Sequence, residues 1–379
     1  MHLAIDASNL RLGGGVTHLS KLLSAADPQK AGIRKISVWA CQSTAATLPS
    51  RPWLDVCSPD WIESGLFSRM FAQQFRLAKE VESHGCDILF SPGGTLARRV
   101  SIPTVTMSQN MLPFEASEAA RFGIPSVMWL KMKLLRMSQG RSFREADGLI
   151  FLTQYAKDAI TQALGHLDNQ TICIPHGIET RFVCAPRKQR LLADCTFANP
   201  FRLLYVSIAM PYKHQIPVAF AVKRLRDKGL PVEVQFVGAS WGRYGSLLRS
   251  TLDQLDPDGE FLQWSGSLPF EQLHDVYMNA DAFVFASSCE NLPNIMIEAM
   301  AAGLPIASSR KGPMPEVLGE AGVYFDPDDP DSVTQALETL AIDATKRTEI
   351  AQLAWQKATV YSWERCADET LAFIAKVAE

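Results

Sequence analysis

Residues 282–307, AFVFASSCENLPNIMIEAMAAGLPIA, decide the fold. Residues 282–286 are a short, uninterrupted apolar run, the pattern of a strand buried on both faces of a parallel sheet. The residues after Glu290 read as the first turns of a helix, and residues 305–307 return as a strand. Strand, helix and strand in this order make a βαβ unit. The unit carries two carboxylates at its mouth, Glu290 and Glu298, eight positions apart, where packing asks for neither.

The same rhythm extends in both directions. Strand candidates in the first half are residues 2–6, 36–40, 88–90, 104–107, 148–152 and 171–174. Helices are predicted over 16–25, 68–83, 127–144 and 156–163. Residues 181–200 interrupt the alternation with clustered charges (Arg187, Lys188, Arg190) and prolines near the ends. A second series begins after them, with strands at 202–206, 233–237, 261–264, 282–285, 305–307 and 322–325. The expected class is therefore α/β. It consists of two tandem Rossmann-like, doubly wound domains, residues 1–180 and 181–360, with an interdomain cleft at the carboxyl ends of their sheets.

The chain has 379 residues, 47% hydrophobic and 20% charged, with a formal charge of −3. That balance excludes a strong nucleic-acid binder by bulk charge. Residues 1–180 hold 18 Lys/Arg against 15 Asp/Glu, a net of +3, so the remainder carries −6. Cysteines at 41, 57, 86, 173, 184, 195, 289 and 366 show neither C-x-x-C nor metal spacing, and read as free thiols in a reducing cytoplasm. The N-terminus enters a strand directly, and no apolar run reaches membrane-spanning length. A cytoplasmic protein is the expectation.

In an open α/β sheet, the loop after a strand and the helix N-terminus beyond it attract anions through free N–H groups and the helix dipole. Carboxylates there repel phosphate, so they serve its neighbours. A carboxylate accepts two hydrogen bonds from a vicinal diol, and a nucleotide sugar carries sugar hydroxyls on both sides of its diphosphate. The plainer account makes Glu290 a helix cap and Glu298 a solvated residue. It suffices for one glutamate and fits the pair less well. Gly13, Gly14 and Gly15 read as a loop between strand and helix whose amides meet a donor diphosphate or an acceptor, or as a plain tight turn. The dinucleotide fingerprint lacks its third glycine, since position 18 is histidine. Asp256-Pro257-Asp258 and Asp326-Pro327-Asp328 read as turns, so no metal is implied. Residues 128–144 are basic and apolar at helical spacing. They suit peripheral contact with an anionic membrane, or a Met/Leu stripe packed in the core.

Glu290-x7-Glu298 followed by Ala-Met-Ala-Ala-Gly-Leu-Pro resembles the E-x7-E region of retaining glycosyltransferases of family 4, the glycosyl transferases group 1 with the GT-B fold. Further segments agree in order: Ile174-Pro175-His176-Gly177-Ile178, Leu204-Tyr205-Val206-Ser207 with Lys213, and Phe236-Val237-Gly238. So do Trp264-Ser265-Gly266-Ser267-Leu268, Gly312-Pro313-x-Pro315-Glu316-Val317, Gly319-Glu320-Ala321-Gly322 and Tyr361-Ser362-Trp363. The resemblance implies acceptor binding by the first domain, donor binding by the second, and a C-terminal helix, about 361–379, crossing back to the first.

It further implies Glu290 and Lys213 as catalytic residues, Glu290 at the transferred sugar and Lys213 at the diphosphate in place of a metal. Glu298 would hold the donor ribose. Asn291, Leu292, Pro293 and Asn294 would supply backbone contacts, and Ser207, Gly238, Ser267, Gly14, Gly15 and Gln109 complete the donor site. No cofactor is implied beyond the nucleotide diphosphate sugar, GDP- or UDP-linked. The acceptor would be a growing or lipid-linked glycan in bacterial surface polysaccharide synthesis. Three departures stand out. Residues 207–211 lack the arginine usual before the lysine, leaving Arg310 or Lys311 to replace it. Glu290-Asn291-Leu292-Pro293-Asn294 replaces E-G-F-G-L. Gln109 stands where many members have histidine. An inactive sugar-nucleotide binder and a nucleotide-sugar epimerase of the same fold are the alternatives.

Overall fold

The computed structural model describes residues 1–11 and 13–379. The chain divides into two compact units. Met1–Ala116, Ile124–Gly177 and Tyr361–Glu379 form the first; Ser117–Gly123 and Ile178–Val360 form the second.

The first unit is built on β1 (His2–Asp6), β2 (Lys35–Trp39), β3 (Leu54–Cys57), β4 (Ile88–Ser91), β5 (Thr104–Met107), β6 (Gly148–Phe151) and β7 (Gln170–Cys173). They form one sheet in the order β3-β2-β1-β4-β5-β6-β7, every neighbouring pair parallel. The second unit uses β8 (Phe201–Val206), β9 (Val232–Val237), β10 (Leu262–Trp264), β11 (Ala282–Phe285), β12 (Ile306–Ser309) and β13 (Val323–Phe325). Its sheet, also parallel throughout, runs β10-β9-β8-β11-β12-β13. Inner strands β4, β5, β6, β11 and β12 are buried along their whole length; β6 and β11 are apolar throughout, while β4, β5 and β12 also bury Ser91, Thr104, Thr106, Ser308 and Ser309.

Both sheets reverse direction of winding beside their first strand, between β1 and β4 and between β8 and β11. At such a switch the two flanking loops diverge to opposite faces and leave a crevice at the strands' carboxyl ends. The loops after β8 and β11 carry Lys213 and Glu290.

The expected elements shift by a residue or two at several ends, and three readings need correction. Strand β3 is missing from the expected strands because it is an edge strand with Asp55 and Val56 exposed, so it lacks a long apolar run. The helix expected over 68–83 is two helices, Leu66–Phe75 and Leu77–Ser83, joined at Arg76, although Arg69, Gln73, Leu77 and Val81 continue one buried stripe across the junction. Gly14 and Gly15 are not loop residues. They open the helix Gly14–Ala25, and only Gly13, with φ +78°, lies outside it.

Glycine is also required where the chain closes the first unit. A Cβ on Gly177 would lie 2.2 Å from the amide nitrogen of Trp363, so the first turn of the helix Trp363–Ala378 passes directly over Gly177. Ser362 caps that helix by accepting from the Arg365 amide.

Candidate active site

In the second unit the backbones after β8, β9 and β10 stack closely. Ser207 N donates to Val237 O at 2.7 Å, and Gly238 N donates to Gly266 O at 2.8 Å. A Cβ on Gly238 would stand 2.0 Å from Ser207 O, so that position admits only glycine. Trp264 Nε1 donates to Gly238 O at 2.9 Å and ties the end of β10 to the turn after β9, with Ser267 three residues further on. Beside this stack lies a cavity of about 620 Å³ along the helix Gly242–Leu255, reached by Ser240, Arg249, Asp253, Trp264 and Gly266. Lys213, Glu290 and Glu298 do not line it.

Those three residues are the candidate chemical groups, and two of them, Lys213 and Glu290, come into contact. Lys213 ends the short 3-10 turn Pro211–Lys213 after β8 and is buried; its backbone carbonyl accepts from the buried Tyr205 hydroxyl. Its ammonium pairs with the Glu290 carboxylate, and the two side chains are only 10% and 16% exposed. An ammonium has three N–H donors, so one bond to Glu290 leaves others for a ligand. The Tyr212 ring lies 5.1 Å below the same ammonium and the Phe285 ring 5.8 Å, an electron-rich floor that favours the cation. The lysine loop is tied to the glutamate loop by Ser288 N donating to Tyr212 O at 2.8 Å.

From Glu290 the chain runs through Asn291, Leu292 and Pro293 into the helix Asn294–Ala301, with Pro293 as its cap residue. Glu298 lies within this helix, half-buried, and its carboxylate accepts a hydrogen bond from the Tyr277 hydroxyl at 3.0 Å. Burial is the main force on its carboxyl and pushes it up to about 7, with the nearby Glu179 charge adding to the rise. Burial, then the Glu298 charge, raises Tyr277 well above the ordinary phenol range, so its hydroxyl keeps the proton it donates.

The Arg310–Gly312 turn abuts the glutamate loop. A Cβ on Gly312 would meet Ser288 O at 3.8 Å and the Glu290 amide nitrogen at 3.9 Å. Lys311 is committed to Asp326 at 3.4 Å and Asp328 at 3.8 Å. Arg310 is exposed.

In the first unit Gly15 and Gln109 come together: a Cβ on Gly15 would stand 3.3 Å from Gln109 Oε1. Gln109 Nε2 lies 3.2 Å from Nδ1 of His18, a buried residue that the sequence reading does not place in the site. The His18 ring stacks on His176 at 4.4 Å, and His176 on Trp363 at 5.8 Å. Burial, then His176, lowers the His18 pKa well below its ordinary value, so the ring is neutral. The bond from Gln109 to Nδ1 then leaves the His18 proton on Nε2. The signal for this cluster was the histidine inside Ile174-Pro175-His176-Gly177, whose partners lie far away in the chain.

Two parallel α/β units of this kind define the GT-B glycosyltransferase fold. Residues 200–343 match the glycosyl transferases group 1 family, which makes this stretch of the second unit a domain of that family. Among curated proteins, the chain is similar to O-antigen chain mannosyltransferase B of Escherichia coli, 32% identical over 29% of this chain and 29% of that one. It is also similar to the GDP-mannose-dependent alpha-(1-6)-phosphatidylinositol monomannoside mannosyltransferase of Mycolicibacterium smegmatis, 26% identical over 57% of this chain and 59% of the relative. The matches thus span less than two thirds of these relatives' own length. In fold, it is similar to Anabaena HepE in complex with UDP, with a TM-score of 0.68, 17% identity and 98% of both chains covered.

Proposed function

We propose that the chain is a retaining hexosyltransferase that moves a sugar from a nucleotide diphosphate sugar to a glycan or lipid-linked glycan of a bacterial surface polysaccharide. The observation that carries this reading is the buried Lys213–Glu290 pair at the β8/β11 switch point, with Glu298 on the adjoining helix. Lys213 directs its remaining N–H groups at the donor diphosphate and stabilises the charge that grows on it as the sugar departs. Glu290 faces the transferred sugar and stabilises the positive charge at its anomeric carbon. Glu298 accepts from the ribose hydroxyls. Ser207, Gly238 and Ser267 meet the nucleotide, and the Asn291–Asn294 backbone meets sugar hydroxyls or phosphate. In the first unit, the Gly14 and Gly15 amides meet the donor diphosphate or the acceptor, and Gln109 the transferred sugar. Arg310 supplies the second diphosphate cation, since Lys311 is engaged by two carboxylates. The reaction uses neither metal nor resident cofactor. GDP and UDP are the two donor nucleotides in play, the first in the GDP-mannose dependence of the mycobacterial relative and the second present in the HepE complex.

The deciding experiment is calorimetry of UDP, GDP, dTDP and ADP, with and without EDTA, on wild type and Glu298→Ala. One nucleotide is expected to bind tightly, indifferent to EDTA, and to lose affinity in the variant. Absence of nucleotide binding, or a variant indistinguishable from wild type, would overturn the reading.

A peripheral membrane role belongs to the same proposal. In the helix Val127–Glu145, Met132 is buried while Val127, Leu130, Leu134 and Met137 are exposed along one face, beside exposed Lys131 and Lys133. Arg141 of this helix donates to Gln74 of the helix Leu66–Phe75, where Phe67 and Phe71 are exposed as well. Apolar rows flanked by cations suit an anionic bilayer surface. No helix among the described residues is long and apolar enough to cross a membrane. Co-sedimentation with vesicles containing phosphatidylglycerol is expected, weakened by high salt and abolished by Leu134→Glu with Met137→Glu. Equal recovery of that double variant with the vesicles would remove the membrane role.

A further inference from the structure

The segment Ser117–Gly123 groups with the second unit although the chain on either side of it belongs to the first. Nothing in the proposed chemistry uses it, yet it places a buried carboxylate beside the catalytic loops. Glu118 is 8% exposed. It accepts from the Ser288 hydroxyl, and from Arg121 Nε at 2.7 Å. Arg121 Nη2 in turn bonds both oxygens of Asp328, at 2.9 and 3.0 Å. Ser288 Oγ also lies 3.0 Å from Nε2 of the buried His214. Phe122 closes the segment down by packing on Tyr212, at 6.1 Å between ring centroids, and on Trp241, at 5.4 Å.

The positions of these contacts matter more than their number. His214 directly follows Lys213, and Ser288 is two residues before Glu290. The Ser288 hydroxyl has one proton, and with that proton directed at Glu118 it must accept from His214 Nε2–H. A continuous path of donors therefore runs from His214 through Ser288 to Glu118. His214 has φ +52°, a left-handed conformation that a non-glycine residue keeps only where its surroundings enforce it. The charged and titratable groups facing its imidazole are Arg121, Asp328, Glu118 and Asp326. Two of these four come from the 117–123 segment. Without Glu118, the Ser288 hydroxyl turns its proton to the Tyr212 carbonyl, 3.2 Å away; its oxygen still accepts from His214, but the tie from both residues to the 117–123 segment is gone.

We propose that Glu118 is a positioning residue for this site. Through Ser288 and His214 it sets the spacing of the two loops that bring Lys213 to Glu290. This rests on reading Lys213 and Glu290 as the reacting pair. It adds that the donor half of the enzyme is completed by seven residues encoded in the first half of the chain.

The test uses the full chain with Glu118→Gln, Glu118→Ala and Ser288→Ala. It reads amide hydrogen exchange at 212–214 and 288–290, nucleotide affinity, and steady-state sugar transfer. Glu118→Gln keeps an acceptor for Ser288 but loses the charge that holds Arg121, so it is expected to fold normally and to fall between wild type and Glu118→Ala. In the alanine variant exchange should quicken in both loops together. There kcat should fall by about 10–100-fold, the order expected for a misplaced reacting group, with nucleotide affinity within about threefold of wild type. Unchanged exchange and unchanged kcat in a folded Glu118→Gln and Ser288→Ala would overturn the proposal. Coupled loss of protection in a protein whose wild type transfers no sugar would uphold the positioning role and overturn the catalytic reading of the pair.

Discussion

Lys213→Ala should lower sugar transfer by about 10²–10³-fold, the range seen when one preorganised charge-stabilising donor is removed. Its ammonium is held under near-complete burial, where its charge acts through little water. The negative charge it meets is larger when the sugar has left than when the donor first binds. The effect should therefore fall mainly on kcat, with a smaller weakening of donor affinity. The same substitution strands the Glu290 carboxylate, 16% exposed, without its partner. Breaking a buried pair from one side costs about 3–5 kcal/mol in other proteins. A fall in Tm is expected in Lys213→Ala, so its activity loss could reflect either cause. The double variant Lys213→Ala with Glu290→Gln removes that stranded charge. It should recover most of the Tm and none of the turnover. Recovery of both together would mean that the pair holds the loops and does no chemistry. Transfer within about threefold of wild type in Lys213→Ala would remove the lysine from the mechanism altogether.

What could be read from the residues depended on whether the physics was local. The inner strand β11 was legible because its burial on both faces makes it apolar throughout; β1 and β5, which also bury Asp6, Thr104 and Thr106, have the expected bounds as well. The half-exposed edge strand β3 carries no such mark. Lys213 and Glu290 were recognisable separately from their flanking motifs, but their pairing joins positions 77 apart, and no spacing rule encodes it. The partner of Glu298, Tyr277, was illegible for the same reason. Gly14 and Gly15 were misread because glycine propensity argues against a helix. Gly15 sits in one because its missing side chain lets the first turn approach Leu10 and Gln109. Tertiary packing there outweighs about 1 kcal/mol of intrinsic preference per residue. The membership of Ser117–Gly123 in the second unit was the least legible feature. It depends on Glu118, Arg121 and Phe122 meeting Ser288, Asp328 and Tyr212, none of them near in sequence.

Nucleotide affinity should rise with pH through neutrality, and Glu298 should be the cause. In the free protein burial holds its carboxyl up to about 7, so it is largely protonated at pH 6 and largely ionised at pH 8. A ribose diol donates two hydrogen bonds to the ionised form and stabilises it. Binding thus lowers the carboxyl's pKa and expels a proton, and linkage makes affinity increase with pH below the free-protein value and level off above it. For a single group near 7, binding should be about tenfold tighter at pH 8 than at pH 6. The nucleotide's own phosphate titrates in part of this range, and Glu298→Gln isolates that contribution because it keeps shape and hydrogen bonding but cannot ionise. The variant should bind more weakly at pH 8, by about 10²-fold if two charge-assisted bonds are reduced to neutral ones, and its profile should be flatter by the tenfold assigned to the carboxylate. Stability should move the other way. A buried carboxyl whose folded pKa lies above its unfolded one binds more protons when folded, so wild type loses stability as pH rises from about 4.5 to about 7. Glu298→Gln should lose less over the same interval. Parallel affinity profiles in wild type and variant would show that the ribose is held elsewhere. A parallel fall in stability would show instead that the carboxyl is not raised as its burial requires.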